Sequence, residues 1–138
     1  MRRATLIAAL LLALAVPAAP AAAPDGRYAG KLKNSSSKVK LRIAKDGRQL
    51  RKLRATMVAY CIGATFGDNR IAILLAYVPK AKIKKNGRFK GKYEPAKAPN
   101  TEIEYEGVRR GNRVRGKIKL RVSNCFATRE FSAKRVGR

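Results

Sequence analysis

Between Arg113 and Val122 the chain alternates without a break. Val114, Gly116, Ile118, Leu120 and Val122 fall on one side, and Arg113, Arg115, Lys117, Lys119 and Arg121 on the other. A period of two sends successive side chains to opposite faces of a strand, so this segment predicts a strand with one apolar and one cationic face. Lys38 to Ile43 repeats the arrangement, with Val39, Leu41 and Ile43 opposite Lys38, Lys40 and Arg42. Thr101 to Glu106 does so with acids, setting Ile103 and Tyr105 against Glu102, Glu104 and Glu106. Arg27 to Lys33 follows Asp25-Gly26, and Leu53 to Cys61 and Arg88 to Tyr93 follow Asp46-Gly47 and Asn86-Gly87, dipeptides that suit tight hairpin turns. Ile71 to Val78 is apolar on both sides and predicts a strand covered on both faces. Arg129 to Arg135 closes the chain. Residues 48–60 also carry helical spacing through Leu50, Leu53, Met57 and Tyr60, but the β-branched and aromatic residues after Ala55 favour a strand. The pattern predicts an all-β domain: an antiparallel meander of about eight strands, with no helix, forming a small barrel or sandwich.

Three strands open alike. Gly26-Arg27-Tyr28-Ala29-Gly30-Lys31-Leu32 returns as Gly87-Arg88-Phe89-Lys90-Gly91-Lys92-Tyr93, and again as Asn112-Arg113-Val114-Arg115-Gly116-Lys117-Ile118. Period two puts the glycine of each on the apolar face, where it marks a bend or a close backbone approach. The spacing is uneven, so the motif is not a solenoid repeat. Taken with Cys61, Gly107 to Ile118, Cys125 and Phe131 to Arg135, the chain resembles small secreted all-β proteins of high-GC actinobacteria that are themselves uncharacterised. That resemblance implies a compact β-fold in an extracellular setting. It implies no activity and no site residues.

The N-terminus departs from the β-pattern. Met1-Arg2-Arg3 precedes an apolar run from Leu6 to Val16, followed by small residues and proline to Pro24. This order is that of a secretory signal peptide over 1–23, with cleavage between residues 18 and 23, leaving one domain over 24–138. The run is shorter than the roughly 20 residues a membrane-spanning helix needs. The chain carries 33 Lys plus Arg against 8 Asp plus Glu. Arg2 and Arg3 are the only charges in the leader, so its removal changes the net charge from +25 to +23. Such a field attracts polyanions in a salt-dependent way. Export also sets the fate of Cys61 and Cys125, which form a disulfide in an oxidising compartment.

The inventory argues against most catalysis. The chain has no histidine, hence no Ser-His-Asp or Cys-His pair and no histidine-bearing zinc centre. It has no phosphate-binding glycine loop. Glu102, Glu104 and Glu106 form the only acidic cluster in the sequence. They are better explained by pairing with cations across a ladder than by glycan cleavage. Glu94 and Glu130 stand apart. No enzyme, cofactor or metal is expected.

The cations are the remaining functional feature. Lys38, Lys40, Arg42, Arg113, Arg115, Lys117, Lys119 and Arg121 are the candidate anion-binding residues, with Lys80, Lys82, Lys84 and Lys85 in a loop before Asn86-Gly87. Their expected partners are anionic polymers bound without sequence preference: nucleic acid, teichoic acid, and sulfated or phosphorylated glycans. Tyr28, Phe89 and Tyr105 belong to the core and offer no base-stacking platform. Two other roles fit the pattern. One is a small-ligand carrier with a barrel lumen. The other is an inhibitor or partner-binding module using the loops Ile62–Asn69 and Glu94–Asn100. A monomer without a transmembrane segment after processing is expected.

Overall fold

The computed structural model describes residues 25–63 and 70–138. The leader and most of the Ile62–Asn69 loop lie outside these residues.

Every predicted strand forms. They are β1 (Gly26–Leu32), β2 (Lys38–Ala44), β3 (Gln49–Cys61), β4 (Arg70–Lys82), β5 (Arg88–Tyr93), β6 (Thr101–Arg110), β7 (Arg113–Val122) and β8 (Cys125–Gly137). Residues 49–61 are a strand, so alternation prevails there over the helical spacing. All eight strands belong to one antiparallel sheet, not to two facing ones, in the order β4-β3-β2-β1-β8-β7-β6-β5. Sequence neighbours are sheet neighbours except β4 and β5, which form the two edges, while the first and last strands pair.

Two strand limits differ from expectation. Lys80 and Lys82 extend β4 instead of lying in a loop, because β3 continues to Gln49 and gives β4 a partner down to Lys82. β8 begins at Cys125, four residues ahead of the predicted Arg129, since Cys125 pairs with Val122 of β7 and Cys61 of β3.

The core follows the alternation. Tyr28, Val39, Ile43, Leu50, Leu53, Met57, Val78, Val114, Ile118 and Leu120 are each at most 2 % exposed and belong to one cluster fed by all eight strands. Among the described residues no second layer covers the sheet, so its buried face is covered by its own strands. Glycines allow the tightest approaches. At Gly30 an added Cβ would stand 1.8 Å from the backbone oxygen of Ser132, and at Gly116 it would meet the Phe131 ring and the Glu106 carbonyl oxygen. These are inner-face glycines of the recurring motif. Gly30→Ala forces β1 and β8 apart and is expected to lower stability by about 3 kcal/mol or more, read from the urea midpoint.

The β1–β2 hairpin is shorter than its neighbours. Past its turn at Asn34, β3 and β8 meet directly through Tyr60–Phe126 and Cys61–Cys125. The Ile62 amide donates to the Asn124 carbonyl at this junction. Cys61 and Cys125 form a disulfide closing 64 residues of sequence separation.

One expectation fails. Ile71 to Val78 is covered on one face only. Ala76 and Val78 are buried, but Ile71, Ile73, Leu75 and Tyr77 are 68 %, 74 %, 51 % and 37 % exposed. The run reads as doubly buried in sequence, but β4 is an edge strand of a single sheet and nothing among the described residues covers its outer side.

A candidate anion-binding face

Strand register arranges the outward cations into rows that cross the sheet. In one row Arg27, Arg42, Arg51 and Lys80 are successive partners on β1 to β4. In the next, Arg110, Arg113, Lys134, Ala29, Lys40 and Arg54 follow one another from β6 through β7, β8, β1 and β2 to β3. In a third, Arg88, Val108, Arg115, Ser132, Lys31 and Lys38 run from β5 to β2. Every Lys and Arg in these rows is exposed, and no row contains an acid. Neighbouring strands lie about 4.8 Å apart, and residues two apart on a strand about 7 Å. The result is a grid of positive charge at a spacing suited to a polymer carrying repeated anionic groups.

An open groove of about 980 Å³ is lined by five strands, with the inward Leu32, Phe89, Gly107, Gly116 and Phe131 at its base and outward side chains around them. Its cations are Lys31, Lys33, Arg88, Lys90, Arg110, Arg115 and Lys117, joined by Lys84 from the β4–β5 connection. Glu106 and Glu130 also line it, but each is held in an ion pair, with Lys117 at 3.3 Å and with Lys33 at 3.0 Å.

The acids of β6 are consumed by their neighbours. Glu104 pairs with Lys119 at 3.6 Å. Glu102 accepts from Arg121 at 2.9 Å and contacts Lys92 at 2.6 Å. Lys92 also reaches Glu94 at 2.8 Å. The candidate residues therefore separate into two sets. Lys117, Lys119 and Arg121 carry carboxylate partners, as expected for an acidic strand beside a cationic one. Lys38, Lys40, Arg42, Arg113 and Arg115 have no carboxylate within ion-pair distance among the described residues. Lys31, Arg54, Arg88, Arg110 and Lys134 join this second set through register. The sequence carried the alternation that places them outward, but not which strand each faces.

Exposed ion pairs contribute little each, but Glu102 sits at a junction of three strands. The hydrogen bond from Lys92, followed by the charge of Arg121, holds its carboxyl below the ordinary range against partial desolvation. The same carboxylate, then Glu94, pushes the Lys92 ammonium up to about 12. A lowered carboxyl supports the fold above its ordinary range, and that support is lost as pH falls through the lowered value. The raised ammonium supports the fold below its ordinary value and loses that support as pH rises towards 12. The β5–β6 pairing is accordingly expected to loosen below about pH 4. Faster amide exchange at Tyr93 and Ile103 would report it, and Glu102→Gln should remove the acid step.

Two arginines turn inward at one end of the sheet, a placement the alternation did not single out. Arg135 donates to the Asp25 carbonyl oxygen at 3.0 Å. Burial pushes the Tyr28 hydroxyl up, opposed by the charges of Arg109 and Arg135.

The Glu94–Asn100 loop folds back against the end of β7, where the Ser123 amide donates to the Asn100 carbonyl. No protein-family model, curated protein or solved structure matches this chain.

Proposed function

We propose that this protein is an exported, disulfide-stapled β-domain that binds anionic polymers through the acid-free rows of its outer face. The observation that carries the reading is the partition of charge. The β6 acids and Glu130 are engaged with Lys33, Lys92, Lys117, Lys119 and Arg121. Strands β1 to β4 contain no Asp or Glu at all. Binding releases counterions from the polymer and demands no base-specific group. Order in the grid favours shape- and sequence-tolerant recognition of phosphate or sulfate chains.

The strand order suits an up-and-down barrel sealed by β1 and β8 and parted between β4 and β5. Its single cluster of buried side chains, drawn from all eight strands, favours use of the surface over use of a lumen. The disulfide accords with an oxidising, extracytoplasmic compartment.

A salt titration on immobilised DNA and heparin tests the reading. Affinity is expected to fall by orders of magnitude between about 50 and 200 mM salt, as several phosphate contacts require. A flat response would refute it.

A further inference from the structure

The outer side of β4 differs in kind from the cationic rows. Ile71, Ile73, Leu75 and Tyr77 follow one another there with no polar residue between them, and residues 71–79 carry no charge. Register extends the patch sideways. Ile73 faces Val58 and Ile71 faces Tyr60 on β3, and Tyr60 in turn faces Phe126 on β8. Tyr60 is 63 % exposed and Phe126 45 %. Contiguous apolar patches of this kind mark contact surfaces. The other half of β4 carries the usual edge protection, Pro79, Lys80 and Lys82. The apolar half carries none.

We infer that this patch docks the protein on an anionic lipid surface. The charge around it selects that occupant. Arg54 is the direct partner of Tyr77, Lys40 lies beside Arg54, and Lys80 follows on β4 with Arg51 and Arg42 across from it. An apolar patch bordered by cations matches both layers of an anionic membrane interface. Aliphatic side chains enter the boundary between headgroups and acyl chains, while Lys and Arg remain with the phosphates. Tyr60 and Tyr77 present amphipathic rings suited to that depth. A second copy of the chain is a poorer match, because a two-fold contact through β4 would bring the cationic borders of two strongly positive chains together. The contact is one-sided. The exposed cations of β2 and β7 prevent lipid from surrounding the sheet.

The patch shares its bordering cations, Lys40, Arg42, Arg51, Arg54 and Lys80, with the acid-free rows, so the test alters only apolar residues and reads polymer binding separately. The experiment uses the processed, oxidised protein and vesicles of phosphatidylcholine with and without phosphatidylglycerol. Binding is expected only with phosphatidylglycerol, and brominated acyl chains should quench tyrosine fluorescence. Ile71→Ser with Ile73→Ser should weaken partitioning by roughly a hundredfold and leave heparin retention unchanged. Both residues are exposed, and a thermal scan verifies that the variant folds. Quenching of the parent protein provides a test that needs no variant. Undiminished vesicle binding by the variant, or no quenching of the parent, overturns the inference. So does a lipid-free dimer that the variant abolishes, which would assign the patch to a second copy.

Discussion

Alanine at Lys40, Arg54 and Lys134 should strip most of the affinity for an anionic polymer, whereas alanine at Lys117, Lys119 and Arg121 should leave it near that of the parent. Both triple variants remove the same positive charge, so net charge cannot separate them. The first set lies in one acid-free row across β8, β2 and β3. The second is already engaged with Glu106, Glu104 and Glu102. Releasing a counterion at about 0.15 M salt is worth roughly 1 kcal/mol per contact, so three lost contacts lower affinity on the order of a hundredfold. The slope of log affinity against log salt should become shallower by roughly two to three units in the first variant only. Equal losses in both would mean that overall charge, and not the grid, governs binding.

Removing the disulfide through Cys61→Ser and Cys125→Ser should lower stability by roughly 4 kcal/mol, the chain-entropy value for a closed loop of this length. For a domain whose whole stability is on the order of 5–15 kcal/mol, that is a large share. The structure locates the damage. Among the described residues the β3–β8 ladder past the β1–β2 turn is two pairs long, Tyr60–Phe126 and Cys61–Cys125, extended by the Ile62–Asn124 hydrogen bond, so this junction should open before the rest of the sheet. Urea unfolding of the oxidised protein against the double variant measures the loss, and exchange of the Ile62 amide reports the opening. An unchanged midpoint would show that the ladder holds the junction without the covalent bond. Because the bond joins paired residues inside a sheet, polymer binding by the folded variant should persist.

Much of the architecture was legible because alternation depends on local backbone geometry alone. Tyr28, Val39, Leu41, Ile103, Val114, Ile118 and Leu120 are inner residues by parity, and all are buried. The Asp46-Gly47 hairpin and the inner glycines of the recurring motif are legible for the same reason, whereas Asn86-Gly87 reads as a hairpin but joins β4 to β5, which do not pair. The anion-binding face was legible only in outline. Parity sends Lys117 and Arg113 to the same side of β7, but Lys117 faces Glu106 and Arg113 faces Arg110. Which cations retain their full charge is a matter of cross-strand register, and the individual strand does not contain it.

The apolar run of β4 marks the same boundary from the other direction. Hydrophobicity on both sides of a strand signals burial only where both faces have a neighbour, and sequence cannot say whether a strand lies at an edge. By itself the sequence determined the strands, the inward set of side chains, the excess of positive charge and the presence of two cysteines. The tertiary structure decided which strands are partners. It thereby set the Cys61–Cys125 bond between β3 and β8, neutralised one cationic stripe and left another open, and exposed Ile71, Ile73 and Leu75. Alternation is written residue by residue, whereas partnership arises when a single sheet curls to bury its own face, and only then do the rows, the seam and the edge exist.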